Sequence, residues 1–288
     1  IFGNNEENQQ IIRNIRNRLE NLPAVTPLEQ YSRKEQLAYW INLYNITVID
    51  EIVKVYPKRD LKGLLLGRNS ILSMKTLEVA GVPLSLNDIQ FSILKNNYDN
   101  NPLIIYGLYQ GIIGGPNIRK SAYSGSNIYG ELTDNAVEFI NSNRGTQGKN
   151  ERVFRVSSLY ERNDAFFDES GSDLREHLLR YLDGQEHTEL QAAAKIKTDI
   201  NDWTITDLYG SYREAVGSLA DNNAALMGAV PGAQTNFLTD RASKSRYSPA
   251  VTQQLGEINE KRESNEQEVI GVVTVEELEQ LDDGEEKE

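Results

Sequence analysis

Cysteine is absent from this 288-residue chain. That excludes disulfides, a thiolate nucleophile and thiolate metal ligands. Histidine is nearly absent: His177 and His187 stand ten residues apart, and neither has a partner at ligand spacing, so no metal site and no cofactor is expected. His177 falls beside apolar positions of a helical pattern and reads as an ordinary surface or partly buried residue. Long apolar runs are missing too. No stretch approaches the roughly 18 residues a membrane span requires, and the opening IFGNNEENQQ has the composition of neither a signal nor a transit peptide. With no thiols to read, the redox character of the compartment is left open.

Positive charge is in short supply. Lys and Arg number 30 against 43 Asp and Glu, a net charge of −13. The excess is local: residues 257–288 hold 13 acidic and 3 basic side chains, so that tail carries −10 of the −13 and leaves −3 on the body. A nearly neutral body without a basic stripe excludes nucleic acid as a partner, because phosphates demand clustered Lys and Arg. The acidic tail reads as a solvating arm or as a segment that docks on a partner.

What is present is a globular composition, 39% hydrophobic and 25% charged, enough for one large domain with appendages. Ile11, Ile12, Ile15, Leu19 and Leu22 recur at helical spacing, predicting a first helix that stops before Pro23. Thr26, Pro27 and Glu29 resemble a helix start, and Ser32 with Glu35 forms a capping-box pattern. A long helix then carries Leu37, Trp40, Ile41, Tyr44, Val48, Ile49, Ile52 and Val53 on one face and ends at Pro57. TLEVAGVPLSL reads as a hairpin turning at Ala80-Gly81, and Ser85 with Asp88 caps a helix carrying Ile89, Ile93 and Leu94. Further helices are expected over 127–143, 173–182 and 188–196, with strands at 103–108 and 153–156 and a β-prone run at 203–206. Helices outnumber strands without regular alternation, which predicts an α+β, helix-rich single domain around a small sheet. The expected division is an N-terminal helix (1–25), the main domain (26–212), a helical or irregular extension (213–256) and the acidic tail (257–288). Val251, Leu255 and Ile258 form a stripe too narrow for burial alone, which calls for a partner, either the body of this chain or another protein; a protein partner is expected through the extension.

The segment LYQGIIGGPNIR, residues 108–119, is unusual for its three glycines behind an apolar run. Gly111, Gly114 and Gly115 permit positive φ and close backbone approach, delivering Gln110 to one concave place. Their N–H groups, with Arg119 and Lys120 nearby, suit an anion nest; a tight structural turn accounts for the same glycines. The spacing is not that of a P-loop or dinucleotide fingerprint. The run DESGSD at 168–173 lacks the glycine and terminal glutamate of an EF-hand loop and reads as helix caps. No serine has a nucleophile-elbow context.

KEQLAYWINLYN, Tyr56-Pro57, LSLNDIQFSIL, LYQGIIGGPNIR and DWTITDLYG, in this order and spacing, resemble the family labelled domain of unknown function 547. The resemblance spans about 30–210. It implies an exported, periplasmic or cell-envelope protein with no established biochemical activity. It also implies cysteine-prone places where Gln110 and Gly115 stand, and often glutamate where Gln90 stands, so this chain carries neutral groups at those places.

Glu35, Asn42 and Asn45 project from nearly one side of the long helix. They either satisfy backbone groups of the glycine-rich segment or line a pocket with Gln110. Two functions follow. One is a non-catalytic binding or assembly module of the envelope or an exported complex, holding ligand through Asn42, Asn45, Gln110, Gly111, Gly114, Gly115 and Arg119. The other is a cysteine-independent hydrolase- or transferase-like enzyme with Glu35 as its acid or base and Asn42, Asn45 and Gln110 as binders. The absent thiol and the neutral Gln110 favour the first.

Overall fold

A computed structural model describes residues 6–56, 58, 60–67, 69–150, 152–168 and 174–206. The 213–256 extension, the acidic tail, the stripe at Val251, Leu255 and Ile258, and residues 169–173 of the acidic run lie outside the described residues. The architecture is helix-rich α+β with a two-stranded and a three-stranded sheet.

Helix α2 (Arg33–Val55) is the axis of the core. Its start is chemically specified: Ser32 Oγ accepts the Glu35 N–H, while the Glu35 carboxylate accepts the Ser32 N–H at 2.8 Å. Its end is set by sterics, since Tyr56 precedes a proline and takes an extended conformation (φ −60°, ψ 138°). Between these caps Leu37, Ile41, Leu43, Tyr44 and Val48 are fully enclosed. Ala38, Tyr39, Asn45, Thr47 and Asp50 are buried as well. Burial on every side marks a helix inside the core rather than on its surface.

Helix α1 (Glu6–Val25) does not stop before Pro23 as its sequence predicts. A helical proline leaves the carbonyl four residues earlier without a donor. Here that carbonyl belongs to Leu19, and the Tyr39 hydroxyl of α2 donates to it at 2.9 Å. Only part of the predicted apolar stripe is enclosed: Ile12 and Arg16 are buried, whereas Ile11 and Ile15 are exposed. Arg16 is the main tie between α1 and α2. Its guanidinium meets Glu20 at 2.7 Å, Asp50 at 2.6 Å and Glu51 at 2.9 Å, and it also donates to the Thr76 carbonyl. Lys54 supports the same two acids of α2 at 3.1 and 2.7 Å.

Thr26 caps nothing: a single 3-10 turn, Leu28–Gln30, connects α1 to α2, with Pro27 at its cap. After α2 comes the short α3 (Lys62–Leu66), then the hairpin β1 (Leu77–Val79) and β2 (Val82–Leu84). Positive φ at Ala80 (51°) and Gly81 (78°) gives the two-residue turn that matches strand twist. The Ser85–Asp88 cap forms as expected, and Asp88–Lys95 then winds as a π-helix that buries Ile89, Gln90 and Leu94.

The strand predicted at 103–108 is instead a 3-10 helix, Pro102–Tyr106. The Asn101 side chain accepts the Leu103 N–H at 3.0 Å, and Pro102 follows as the first helical residue. These two residues begin a helical turn, and a short apolar run alone does not distinguish the alternatives.

Helix α4 (Ile128–Ile140) leads to the mixed sheet of β3 (Thr146–Asn150), β4 (Val153–Ser157) and β5 (Lys195–Ile200), with β4 central. β3 runs antiparallel and β5 parallel to β4. The crossover consists of α5 (Ser158–Arg162), α6 (Ala165–Asp168), α7 (Leu174–Tyr181) and α8 (Gly184–Ala192). The helix predicted over 188–196 is thus displaced toward the N-terminus, and its last residues belong to β5. Alternation in KIKTDI, pairing Phe154 with Ile196 and Val156 with Thr198, decides the matter in favour of a strand.

His177 corrects another expectation, for it is only 6% exposed. It stacks on Tyr106, its Nε2 lies 2.8 Å from the Tyr106 hydroxyl, and Phe167 and Tyr181 close around its ring. Burial pushes its pKa down to about 4, with the Arg180 charge adding to the effect. The unfolded chain therefore takes up a proton near the ordinary pKa of about 6.5 that the folded chain refuses. Stability is full above that pH and falls as pH drops toward 4. Urea midpoints should decline over this window in the native protein, and His177→Phe should reduce the slope. For the α1 tie, Arg16→Leu should cost about 3 kcal/mol in urea unfolding, the lower end for a broken buried pair, because Lys54 still reaches both acids.

Candidate functional site

The polar residues of α2 take up successive stations along one face, and the glycine-bearing segment is fastened to them. Asn45 donates through Nδ2 to the Gly107 carbonyl at 2.9 Å, and its Oδ1 accepts the Tyr109 N–H at 2.8 Å. Asn42 does the same to a single residue: Nδ2 donates to the Tyr123 carbonyl and Oδ1 accepts the Tyr123 N–H, both at 2.9 Å. Each carboxamide thus copies a strand's donor–acceptor edge. Near the start of the helix, a Cβ on Gly125 would sit 2.4 Å from Glu35 Cγ, so the segment passes close there too.

Glu35 itself faces solvent. Its Oε2 accepts from the Ser32 hydroxyl at 2.6 Å and the Ser32 N–H at 2.8 Å, and these donors hold its pKa below the usual carboxylate value. A base made weaker in this way is poorly suited to proton abstraction at neutral pH.

The glycines divide by need. Gly111 adopts φ +74°, and a Cβ there would lie 2.0 Å from Ile52 Cδ1. At Gly114 a Cβ would lie 2.5 Å from the Asp202 nitrogen, whereas at Gly115 it would meet only ordinary contacts from 3.4 Å. The β-prone run at 203–206 explains the crowding, because it pairs with this segment. Ile113 donates to the Thr204 carbonyl and Gly114 to the Asp202 carbonyl, both at 2.9 Å, and Thr206 donates to the Gly111 carbonyl at 2.7 Å. Gly115 donates to Ile112 at 3.2 Å. The amides of 113, 114 and 115 are therefore committed to carbonyls of the chain itself, as a structural turn requires. Arg119 is directed away from them, against the Tyr123 ring and toward Glu131, whose carboxylate is 3.6 Å distant.

Gln110 is buried beside a residue that sequence reasoning did not single out. Arg162, at the end of α5, donates to Gln110 Oε1 at 2.8 Å and to the Ser158 hydroxyl at 2.7 Å, and its guanidinium lies 4.8 Å from the centre of the Trp203 ring. Among the described residues no carboxylate pairs with it, and burial lowers its pKa to about 10. No sequence signal marked it: one arginine in a short helix between strand and loop has no motif. Gln90 is likewise enclosed, accepting from the Tyr44 hydroxyl at 3.3 Å and donating to Asn163 Oδ1. The Tyr44 phenol is pushed far up by burial. The cluster therefore has hydrogen-bonding groups and one fixed positive charge, without a group that exchanges protons near pH 7. Among the described residues no set of three or more acidic or histidine side chains converges to hold a metal ion, and no helix is long and apolar enough to cross a membrane.

A helix-rich α+β domain in which an irregular glycine-bearing segment is pinned along a buried helix is the class this geometry defines. Residues 28–140, which hold that helix and most of that segment, match the family model described as "Protein of unknown function, DUF547". The family model thus matches over 28–140, a narrower span than the 30–210 that the motifs cover. No curated protein and no solved structure matches the chain.

The glycine geometry yields a graded test. Gly111→Ala and Gly114→Ala should each lose about 1–3 kcal/mol of unfolding free energy, from strain at positive φ in the first and collision with Asp202 in the second. Gly115→Ala should stay within about 0.5 kcal/mol of the parent in the same denaturation measurement.

Proposed function

We propose that this protein is a non-catalytic binding or assembly module of the bacterial cell envelope or of an exported complex, with the C-terminal extension contacting a protein partner. The observation that carries the non-catalytic reading is the state of Gln90 and Gln110. Where the family resemblance implies glutamate and cysteine, this chain has carboxamides, and both are engaged in internal hydrogen bonds. A carboxamide supplies neither a nucleophile nor a proton of useful acidity, so the framework is retained while its reactive groups are not. Glu35, the candidate for cysteine-independent chemistry, is occupied in the Ser32 capping box. The envelope and export assignment rests on the family resemblance, and the partner assignment on the narrow apolar stripe and the acidic tail.

Two measurements test this reading. The purified full-length chain, given p-nitrophenyl acetate, p-nitrophenyl phosphate and unstructured peptides, should show no turnover above buffer, and Glu35→Gln should change nothing. Turnover abolished by that substitution overturns the reading. In envelope fractions of the source organism, cross-linking mass spectrometry should find reproducible links from the full-length chain that are lost when it ends at residue 212, before the extension and the tail. Links indifferent to that truncation overturn the assembly role of the extension.

A further inference from the structure

The opposite side of α2 borders a cleft of about 570 Å³ that the glycine-bearing segment does not enter. Arg33, Gln36 and Trp40 follow one another at i, i+3 and i+7 and form one wall. Ile93, Asn96 and Tyr98, at and beyond the end of the π-helix, form the other. The volume is that of a small-molecule site. π-Helical geometry is itself rare and recurs at functional positions.

Trp40 gives the cleft its chemistry. It is only 9% exposed, and its indole N–H meets no acceptor among the described residues. A buried tryptophan ordinarily finds a partner for that donor. Its nitrogen is not one of the fully enclosed unpaired atoms, which among the described residues are Thr76 Oγ1, Asn100 Oδ1 and Arg119 Nε, so it keeps some exposure, and its residue lines the cleft. Beside it, Gln36 donates through Nε2 to the Tyr31 carbonyl at 2.9 Å, and its own side-chain oxygen remains as an acceptor. The exposed carboxamides of Asn96 and Asn97 each add donors and an acceptor.

Charge narrows the ligand. Among the described residues no carboxylate lines the cleft, which disfavours a cation. Arg33, the one cation among the described lining residues, is already engaged: it donates to the Asn97 carbonyl, meets Asp99 at 3.6 Å and lies 5.4 Å from the centre of the Tyr98 ring. What remains is a set of neutral groups, donors and acceptors mixed, over the apolar surfaces of Leu28, Ile93 and Tyr98. Hydroxyl groups carried on an apolar ring are the complement, since each hydroxyl donates once and accepts twice. We propose that this cleft binds an uncharged saccharide of one or two rings, with the Trp40 N–H donating to a sugar oxygen and Asn96 and Asn97 exchanging hydrogen bonds with its hydroxyls. The site stands apart from Gln110 and does not depend on the reading given above for that cluster.

The chain has two tryptophans, Trp40 and Trp203, so Trp203→Phe in the full-length protein leaves Trp40 as the sole indole reporter. Titration with cellobiose, maltose and N,N′-diacetylchitobiose should give saturable changes in its emission with at least one of the three. Saturation-transfer NMR on the unsubstituted protein should detect the same sugar. Trp40→Phe, which keeps an aromatic ring of smaller size and deletes the N–H, and Asn96→Ala, at an exposed position, should each weaken binding about tenfold, the loss of one hydrogen bond. Unchanged thermal melts would show that both variants fold. The proposal is overturned if none of the three sugars saturates, if binding is indifferent to both substitutions, or if a proline-rich neutral peptide binds where the sugars do not.

Discussion

Two asparagines hold the central part of this structure together. Residues 107–123 follow no regular ladder for most of their length, yet much of the segment is enclosed, and enclosed backbone amides and carbonyls need partners. A helix cannot supply them from its own backbone, because its donors and acceptors are used internally. Asn42 and Asn45 resolve this by presenting carboxamides at the spacing of a strand edge, one binding Tyr123 and the other spanning Gly107 to Tyr109. Once those contacts are fixed, Tyr106 is placed in the aromatic cluster around His177 and Gly111 is brought against Ile52.

The same economy explains why the cluster around Gln110 is chemically neutral. Glu35 takes part in a cap, Gln90 bridges Tyr44 and Asn163, and Gln110 receives Arg162. Each polar group has structural work, and the positive charge of Arg162 is steadied by an aromatic face, the Gln110 amide oxygen and the Ser158 hydroxyl instead of a carboxylate. Such a partly buried guanidinium is tolerable because its delocalised charge is weakly hydrated.

Much of this was legible in the residues because local chemistry and tertiary structure agree. The Ser32 box, the Ala80-Gly81 turn, the Ser85 cap and the apolar face of α2 all point where the fold goes. The errors arise where a distant group overrules a local preference. Pro23 ends a helix in isolation; here Tyr39 supplies the hydrogen bond its neighbour lacks. The helical pattern of 188–196 runs on through Lys195 and Ile196, which the edge of β4 instead takes into β5. At 103–108 the local signals themselves conflict, because the Asn101-Pro102 start specifies a helical turn while the apolar run that follows suits a strand. Asn42 and Asn45 were recognisable as candidates with two open roles, whereas Arg162 and the Trp40 cleft depend on juxtapositions across the fold that no spacing encodes.

The pairing of 111–114 with 202–206 also imposes an order on assembly. During synthesis the glycine bend leaves the ribosome long before the carbonyls of Asp202 and Thr204 exist to receive its amides. Until then the nascent bend is held from one side only, by the asparagines of α2. Closure of the bend therefore waits on residues 202–206, and the distance along the chain between these partners makes that contact entropically slow to form.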